Sequence, residues 1–404
     1  MIGNTLTVIL AGEAGPGLQP LTADRAIPAI PFGGKYRIID FPLANCLHSG
    51  LRRILVLTQY KSFSLQKHLR DGWSIFNPEL GEYVTPVPPQ MRYGERWYAG
   101  AADAIYQNLY LLERSGAQWV LVISANNIYR MDYSAMLKFH CEKNADVTMA
   151  GVEMPAKDVR AHGQIVETND GRVSAIKFEA GGEEVPVADA LVSMGVYIFS
   201  MDLLLAIVKQ DAEKDDSSHD FEKDIIPQLL KDKQVYSYRF GMKEGRVTPD
   251  RYWRDINSID AYFNANMDLL ETVPPMDLYQ PDWPIRTYQL QCPPARTVPG
   301  EEGTEGLSIN SITSSGVVVA GGSVQHSILS PNVFVDDEAT VYDSILFNGV
   351  RVGKGVRLQR CIVDKDVVIP NGETIGYDRK QDAERFTVSE SGVVVVPKGY
   401  KFAE

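Results

Sequence analysis

The sequence predicts an α/β protein in which a mainly parallel sheet is followed by a smaller domain of short, repeated strands. The first observation is an alternation, from the N-terminus to about residue 275, of brief Val/Ile-rich runs with amphipathic helical patterns. Such an alternation indicates a parallel sheet with helices on both faces. The second observation is a change of pattern beyond residue 308, where apolar residues recur at a much shorter spacing.

The elements of the first region, residues 1–275, can be placed in order along the chain. Short apolar runs bounded by turn residues predict strands, and apolar residues at helical spacing predict amphipathic helices. The predicted strands are LTVILAG, RRILVLTQY, QWVLVISA, VTMAGVEM and LVSMGVYIF. The predicted helices are KSFSLQKHLRDGW, DAIYQNLYLLERSG, DYSAMLKFHCEKN and HDFEKDIIPQLLK.

The rest of the chain divides into a linker and a repeat domain. Residues 276–307 are crowded with Pro and Gly and predict a linker. Residues 308–404 carry an apolar residue every five or six positions, which favours a β-helix of hexapeptide repeats; a small β-sandwich is the alternative. The repeated apolar positions are Val333, Ala339, Ile345, Val350, Val356, Ile362 and Val367.

The composition narrows the class of protein. A formal net charge of −12, with no basic stripe, argues against nucleic-acid binding. The four cysteines are scattered without a C-x-x-C pair, so neither a zinc site nor a disulfide framework is indicated. The N-terminus lacks a basic segment, and no apolar run approaches the roughly 20 residues of a membrane span. We therefore expect a cytoplasmic protein with no membrane or nucleic-acid partner.

The stretch AGEAGPGLQP, residues 11–20, follows the first predicted strand, where the phosphates of a nucleotide often bind. It contains Glu13 and Pro16 but no Lys or Arg. A carboxylate repels phosphate, and a proline lacks the backbone N–H that would donate to it. Either the loop no longer binds phosphates, or it has drifted at one place and still functions.

Several longer segments resemble the ADP-glucose pyrophosphorylase (glucose-1-phosphate adenylyltransferase) family. They are RAIPAIPFGGKYRIIDFPLANCLHSGLRRILVLTQY, SMGVYIF, SSHDFEKDIIP, YWRDINSIDAYFNANMDL, DWPIRTY and RCIVDKDVVIPNGETIG. The resemblance implies a Rossmann-like (GT-A-like) nucleotidyltransferase domain and a left-handed parallel β-helix. It also implies a reaction of ATP with glucose 1-phosphate that gives ADP-glucose and pyrophosphate. In this family the reaction uses Mg²⁺, and the enzymes are tetramers controlled by metabolites.

The resemblance implies phosphate-binding positions, and this chain departs from the family at several of them. The family loop G-G-x-G-T-R-L presents backbone N–H groups and an arginine to the phosphates. Here the second glycine is replaced by Glu13, and the arginine position is Gly17. The lysine of the family's R-A-K-P is Ile27. The degenerate phosphate positions are Gly12, Glu13, Gly15, Gly17 and Ile27.

The implied metal and nucleotide positions are partly retained. The family's L-A-G-D-H segment places a carboxylate on Mg²⁺; the matching residue here is Asn126, which has a neutral oxygen. Asp255 matches the second metal carboxylate, whereas Ala99 replaces the arginine of the family's W-Y-R-G-T-A-D-A segment. The adenine-facing positions are Gln90, Gly100 and Asp103.

The implied sugar-phosphate positions show one further loss. The lysine of the family's F-V-E-K-P has no counterpart, and Glu179 stands at or beside its place. The retained residues also have possible structural roles, such as a helix cap for Asp255 or strand packing for Ser193. The retained sugar-facing positions are Tyr98, Gly163, Ser193 and Asp220.

Together these replacements predict a catalytically deficient member of the family. Each charge-stabilising group is typically worth about 3 kcal/mol in a transition state, so several losses together reduce turnover severely. The expected role is a regulatory subunit or ligand-sensing paralogue in glycogen or starch biosynthesis, in a homotetramer or in a heterotetramer with an active paralogue. The alternative is an active nucleotidyltransferase that makes ADP-glucose or a related sugar nucleotide; Mg²⁺ is expected if activity remains.

A phosphorylated metabolite is the expected effector, because family effectors bind clustered basic residues. The alternative is that these residues form ordinary ion pairs with the acidic surface. The matching positions here are Arg25, Arg37, Arg360 and Arg385.

Overall fold

The computed structural model describes residues 1–92, 96–155, 164–178, 190–242, 245–247, 250–301 and 303–402. Their contacts group into two compact units, each drawn from several chain segments. The domain ranges predicted from the sequence, 1–275, 276–307 and 308–404, are each one continuous segment, and they stay a prediction. Unit 1 comprises Met1–Glu13, Phe41–Asp255 and Gln280–Ile285, and unit 2 comprises Ala14–Asp40, Ile256–Tyr279 and Arg286–Glu404.

The core of unit 1 is a nine-stranded sheet. Numbered in chain order through both units, its strands are β1 (Thr5–Ala11), β4 (Arg53–Thr58), β5 (Tyr83–Val87), β6 (Trp119–Ser124), β8 (Val147–Met154), β9 (Gln164–Asn169), β10 (Arg172–Phe178), β11 (Ala190–Ser200) and β12 (Val235–Arg239). Their order in the sheet is β5-β4-β1-β6-β11-β8-β12-β10-β9. Within these nine strands β10 and β11 run against the other seven, so the sheet is mostly parallel.

The five strands predicted for this region are confirmed as β1, β4, β6, β8 and β11. Residues Thr5–Ile9 of β1 are buried without alternation, as expected for a strand covered on both faces. A short antiparallel pair in the same unit joins β7 (Asn127–Tyr129) to β13 (Trp253–Asp255). This pair extends directly from the end of β6 and therefore helps to position the residues that follow that strand.

The described α-helices include those predicted, with two differences. DAIYQNLYLLERSG forms two helices, because the side-chain amide of Asn108 donates to the Ala104 carbonyl (2.8 Å) and competes with the backbone ladder. In HDFEKDIIPQLLK a π-helix, Phe221–Ile225, precedes a short α-helix containing Pro227, which has no N–H to continue a regular ladder. The α-helices are α1 (Asp40–His48), α2 (Phe63–Trp73), α3 (Ala101–Tyr106), α4 (Leu109–Ser115), α5 (Tyr133–Glu142), α6 (Met201–Ala212), α7 (Ile226–Leu229), α8 (Ile259–Met267) and α9 (Arg379–Arg385).

Single turns of 3₁₀-helix complete the described helical structure. None of the helices in the described part of the chain has both the length and the apolar character that a bilayer crossing requires. The 3₁₀ turns are Ile2–Asn4, Pro16–Leu18, Ile27–Ala29, Pro78–Leu80 and Asp268–Leu270.

Unit 2 contains a parallel β-helix. Its strands stack into three sheets, and each coil supplies one strand to each sheet. The seven repeated apolar positions predicted from the sequence are all at most 2% exposed, as expected for the inside of such a coil. The first sheet is β14 (Arg296–Val298), β17 (Val318–Ala320), β20 (Phe334–Val335), β23 (Arg351–Val352) and β26 (Val368–Ile369).

The other two sheets have the same parallel register, apart from one antiparallel pair at the C-terminal end. The second is β15 (Leu307–Ile309), β18 (Ser323–Gln325), β21 (Thr340–Tyr342), β24 (Arg357–Gln359) and β27 (Thr374–Ile375). The third is β16 (Ile312–Thr313), β19 (Ile328–Leu329), β22 (Ile345–Leu346), β25 (Cys361–Val363), β29 (Val394–Val396) and β28 (Thr387–Val388). A separate hairpin pairs β2 (Pro31–Phe32) with β3 (Tyr36–Arg37).

A column of small polar side chains links successive coils inside the β-helix. The backbone N–H of Ser344 donates to Ser327 Oγ (3.0 Å), and that of Cys361 donates to Ser344 Oγ (3.1 Å). The Ser344 hydroxyl in turn donates to the Tyr342 carbonyl (2.7 Å). These hydroxyls therefore satisfy backbone groups that the strand ladders leave unpaired, in a region with no solvent exposure at Ser327 or Ser344.

We predict that Ser344→Ala destabilises the β-helix by about 1–3 kcal/mol, because the Cys361 N–H is left buried without an acceptor. Urea unfolding followed by circular dichroism measures the change. Ser308→Ala is the matched control, since Ser308 lies exposed on β15 and should change stability by less than about 0.5 kcal/mol. Equal stability of the two variants would contradict the structural role of the column.

Candidate functional site

The ends of β1 and β6 and the bulged interior of β11, three neighbouring strands of unit 1, bring the candidate residues together. Leu10 of β1 lies opposite Ser124 of β6, and the Ala125 N–H donates to the Leu10 carbonyl (3.1 Å). The Asn127 side-chain amide donates to the Met194 carbonyl of β11 (3.1 Å). The residues that follow β1 and β6 therefore lie beside the Ser193–Gly195 segment of β11.

A close approach of backbones at Gly195 permits this arrangement. Gly195 has φ +67°, a conformation that favours glycine. A Cβ at this position would lie 3.1 Å from the Ser124 Cβ. The bulge in the pairing of β11 with β8, between Ser193 and Tyr197, falls at the same place and redirects the strand.

Glu13 and Asn126, two of the residues predicted to mark a degenerate site, bond directly to each other. The Asn126 side-chain amide donates to a Glu13 carboxylate oxygen. Glu13 keeps much of its surface accessible, yet the protein atoms packed around its carboxylate raise its pKa by desolvation. The hydrogen bond from Asn126 opposes that rise, and the nearby charge of Asp220 adds to it.

The remaining oxygen of the Asn126 side chain has no hydrogen-bond donor among the described residues, although Asn126 is only 6% exposed. Asp255, the other predicted metal ligand, lies on β13 and pairs in register with Asn127 of β7. In the described part of the chain, no three His, Cys, Asp or Glu side chains converge as a metal site.

The glycines of the loop serve close packing within unit 2. Gly15 has φ +60°, and a Cβ there would lie 2.5 Å from the Ile27 side chain. Gly17 also has no room for a side chain, because a Cβ there would lie 2.3 Å from the Asn257 carbonyl oxygen. Ile27 itself is 2% exposed and packs as a core residue. In unit 1, Gly12 is similarly close to Gln59, with 3.1 Å between a Cβ and the Gln59 Cβ.

The predicted nucleotide segment is held by two side chains. The Gln59 side chain accepts from the Tyr98 N–H (2.6 Å) and donates to the Tyr98 carbonyl (3.4 Å). Asp103 is 1% exposed and accepts from the Ala99 N–H (2.8 Å). Arg96, half exposed, places its guanidinium 3.4 Å from the same carboxylate. The arrangement brings a cation close to Ala99, where the family has an arginine.

Gln90 and Gly100 have different environments. Gln90 is exposed, and its side-chain amide donates to the Pro88 carbonyl (2.7 Å). Gly100 precedes α3, and a Cβ there would lie 2.5 Å from the Ser218 carbonyl oxygen. Gly163 and Glu179, which were predicted to face the sugar, lie outside the described residues.

The predicted sugar-facing residues Ser193 and Asp220 adjoin a buried carboxyl that the sequence analysis did not identify. The Tyr197 hydroxyl donates to the carboxyl of Glu222 in the π-helix, and Ser193 lies close to that carboxyl. Asp220 caps the same helix by accepting from the Glu222 N–H (2.8 Å) and the Lys223 N–H (3.0 Å). Burial, opposed by Ser193 and the Tyr197 hydrogen bond and aided by Asp220, raises the pKa of Glu222 to about 7.

A sequence signal for Glu222 did exist. Phe221, Ile225, Ile226 and Leu229 are the buried apolar residues of this helical segment, and Glu222 lies three and four positions before Ile225 and Ile226. A charged residue on the apolar face of a helix indicates a buried functional or paired group. Gln59 and Arg96 offered no comparable signal, because their roles depend on contacts with residues distant in the sequence.

The four arginines proposed for an effector have partners or lie near partners in unit 2. Arg25 is 4% exposed, and its Nη2 atom donates to both carboxylate oxygens of Asp364 (2.9 and 3.0 Å). Arg385 pairs with Glu373 (3.0 Å). Arg360 lies 3.6 Å from Asp343 and donates to Ser391 Oγ (3.2 Å). Three of the four thus fit the alternative expectation of ordinary ion pairs.

A lysine that the sequence analysis did not select, Lys365, lies close to Arg25 and Arg37. Burial and the positive charges of Arg37 and Arg25 lower the pKa of Lys365 to about 7, against the opposing charge of Asp364. Lys398 adds a further positive charge. Lys365 therefore belongs to a basic cluster whose members repel one another, a situation that a bound anion would relieve.

Comparison with known proteins places this architecture. Residues 6–272 match the Nucleotidyl transferase family, and residues 293–396 match the GlmU-like C-terminal hexapeptide family. The predicted fold class is thereby confirmed. The chain is 56% identical over 403 residues to a protein of Vibrio cholerae serotype O1 named glucose-1-phosphate adenylyltransferase 2, covering 99% of each chain. It is 43% identical over 405 residues to the glucose-1-phosphate adenylyltransferase of Koribacter versatilis, covering 99% of this chain and 97% of the relative.

The ionisation of Glu222 predicts a pH-dependent stability. The folded chain, with a pKa of about 7, holds a proton that the unfolded chain, with the ordinary value of 4.5, has already released. The contribution of Glu222 to stability therefore falls as the pH rises from 4.5 to about 7, by roughly 3 kcal/mol. Glu222→Gln removes this fall.

Urea unfolding of the wild-type chain and Glu222→Gln at pH 5 and pH 8 measures the effect. The free energy of unfolding of Glu222→Gln, minus that of the wild type, should be larger at pH 8 than at pH 5. Glu213→Gln, which changes an exposed carboxylate near the π-helix, is the control and should follow the wild type at both values. Parallel behaviour of all three proteins would show that Glu222 ionises normally.

Proposed function

The chain belongs to the glucose-1-phosphate adenylyltransferase family, and from that premise we propose that it is a catalytically deficient member acting as a regulatory or ligand-sensing subunit. It would act in the cytoplasm, in glycogen or starch biosynthesis, within a tetramer. Its partners in the tetramer would be identical chains or a catalytically active paralogue. The family membership rests on long, high-identity matches.

The hydrogen bond between Asn126 and Glu13 is the observation that carries the proposal. In the family, position 13 is a glycine whose backbone faces phosphate, and position 126 is a carboxylate that binds the metal. In this chain the side chains at these two positions form a hydrogen bond with each other instead. An aspartate at position 126 would bring a second carboxylate to Glu13, and two carboxylates in contact cannot both be ionised without strong repulsion. The two replacements therefore fit each other and disfavour Mg²⁺–triphosphate.

The surrounding charges support the same conclusion. Asp220 acts electrostatically on both Glu13 and Glu222, so three carboxyl groups influence one another in this part of unit 1. Ile27, at the expected lysine position, is a buried core residue. Transition states of nucleotidyl transfer need cations and metal ions near the phosphates, and a local excess of carboxylates opposes both.

One observation favours the alternative of an active nucleotidyltransferase. Arg96 lies 3.4 Å from Asp103, the residue that also accepts from the Ala99 N–H. A guanidinium three positions earlier in the chain could thus replace the arginine missing at position 99. Such an enzyme would make ADP-glucose or a related sugar nucleotide and would still need Mg²⁺ bound with the nucleotide.

An assay of ADP-glucose formation by the purified chain, with ATP, glucose 1-phosphate and Mg²⁺ at millimolar levels, tests the proposal. We expect a rate indistinguishable from the blank, because the phosphate-binding cations and one metal carboxylate are absent. Arg96→Ala should then make no difference. A clear rate that Arg96→Ala abolishes would establish the active alternative instead.

The regulatory role is tested by mixing the chain with a catalytically active relative and measuring the assembly by mass photometry. Mixed tetramers with a changed response to metabolites support a regulatory subunit. Tetramers that contain only this chain, with no effect on the active relative, would contradict that role and leave ligand sensing as the function.

The basic cluster of Arg25, Arg37, Lys365 and Lys398 supports a phosphorylated metabolite as the effector. Burial and the neighbouring positive charges lower the pKa of Lys365 to about 7, and an anion bound beside it would stabilise its charged form. Arg25, Arg360 and Arg385 already pair with carboxylates and are therefore less available to an effector than the two lysines. The proposed effector site therefore centres on Lys365.

We predict that this chain binds sulfate, a probe that does not titrate near neutrality, about tenfold more tightly at pH 6 than at pH 8, since Lys365 carries its proton only at the lower value. Isothermal titration calorimetry measures the affinity, and fructose bisphosphate can then replace the probe. Lys365→Met should remove the pH dependence, whereas Lys380→Met, at an exposed position of α9, should retain it. Equal affinity at both pH values would exclude Lys365 from the site.

A further inference from the structure

A buried carboxylate and an imidazole hold the turn of residues 217–220, which joins α6 to the π-helix. The carboxylate belongs to Asp211, which is 1% exposed, and one of its oxygens lies 2.7 Å from His219 Nδ1. Its other oxygen accepts from the Ser217 hydroxyl (2.8 Å), and that hydroxyl accepts from the His219 N–H (3.0 Å). Because a carboxylate only accepts, Nδ1 is the donor, and the three residues form one closed set of hydrogen bonds.

The backbone conformation at His219 shows what this set of bonds does. His219 has φ +55°, in the left-handed region that residues with a side chain rarely adopt. Such a conformation persists only where the surrounding structure holds it. The bonds to Asp211 and Ser217 act on the side chain and the N–H of this one residue. The pair of Asp211 and His219 therefore fixes the path of the turn.

The turn directs two consecutive carbonyl groups at the beginning of α3. The His219 carbonyl accepts from the Ala102 N–H (2.8 Å) in the first turn of that helix. A Cβ on Gly100 would lie 2.5 Å from the Ser218 carbonyl oxygen and 2.6 Å from that of His219. Gly100 is one of the predicted nucleotide-facing residues, so this part of the candidate site begins in direct contact with the turn.

The other end of the turn leads into the predicted sugar-facing part of the candidate site. Asp220 follows His219 and accepts from the Glu222 and Lys223 N–H groups at the beginning of the π-helix. The Asp220 N–H donates to the Asp224 carboxylate (3.0 Å), which also accepts from the Ser218 hydroxyl (2.5 Å). One short turn thus bonds to both parts of the candidate site.

We propose that Asp211 and His219 are positioning residues, which fix the turn and so hold the beginning of α3 and the Asp220 cap in one relative position. A ligand that contacts one part would then find the other part already in place, which reduces the cost of ordering the site on binding. The inference rests on the proposed function only in treating the two parts as one ligand site.

Hydrogen–deuterium exchange of the full-length chain, resolved to single amides, tests the role of the pair. His219→Ala should accelerate exchange about tenfold at Ala102 and, in parallel, at Glu222 and Lys223, because the bond to a buried charged group is lost. Asp211→Ala should have the same effect. The double variant should exchange no faster than either single variant, because the two residues act as a unit.

Two further variants separate positioning from a general loss of stability. His219→Asn should restore most of the protection, because asparagine tolerates positive φ and places an N–H donor near the position of Nδ1. Asp216→Ala, which removes an exposed carboxylate from the same connection, should leave the exchange of all three amides unchanged.

Faster exchange at Ala102 alone, or at Glu222 and Lys223 alone, would overturn the proposal, since the two parts would then move separately. Additive effects in the double variant, or no restoration by His219→Asn, would also overturn it. If His219→Ala does not fold, Asp211→Asn still decides, because it keeps the shape of the side chain but loses one acceptor. Exchange requires no turnover, so formation of ADP-glucose would refute the proposed deficiency and leave this inference standing.

Discussion

The register between β1, β6 and β11 is the constraint on which the candidate site depends. Pairing of Leu10 with Ser124 places Glu13 and Asn126 just beyond adjacent strand ends, where their side chains meet. Pairing of Val196 with Ile123 brings Ser193 to the same edge from an antiparallel strand. Because a shift of one residue would turn every side chain to the other face, the buried core of the sheet fixes this meeting point.

The carboxyl groups of Glu13, Asp220 and Glu222 lie near one another at that point, where their negative charges repel. The Asn126 amide hydrogen-bonds to the Glu13 carboxylate and opposes the rise of its pKa on desolvation, whereas burial raises the pKa of Glu222 to about 7 beside the Tyr197 hydroxyl. These are two different solutions to the cost of an uncompensated negative charge. Neither leaves a positive field for a triphosphate. The replacements therefore form a mutually consistent set, which is easier to explain by a changed role than by independent drift at each position.

Much of the fold followed from the sequence, because it depends on patterns that any chain with those residues must satisfy. The five predicted strands and the repeated apolar positions such as Val350 and Ile362 reflect burial, which composition and spacing encode directly. The helix break at Asn108 depends on one side-chain amide that bonds to a backbone carbonyl, and the π-helix precedes a proline that lacks a backbone N–H. The spacing of apolar residues does not reveal either feature. Predicted site residues such as Asn126 were placed through the resemblance, but the bond to Glu13 required strand register to be known.

The two units present opposite electrostatic environments, and this contrast bears on function. In unit 1 the candidate site gathers carboxyl groups, whereas in unit 2 burial and the charges of Arg37 and Arg25 lower the pKa of Lys365 to about 7. A protein that turned over phosphorylated substrates would be expected to concentrate cations at the site of chemistry. Here the concentration of cations lies in the β-helix unit. This contrast supports the proposal that the β-helix unit, and not the candidate site of unit 1, binds a phosphorylated metabolite.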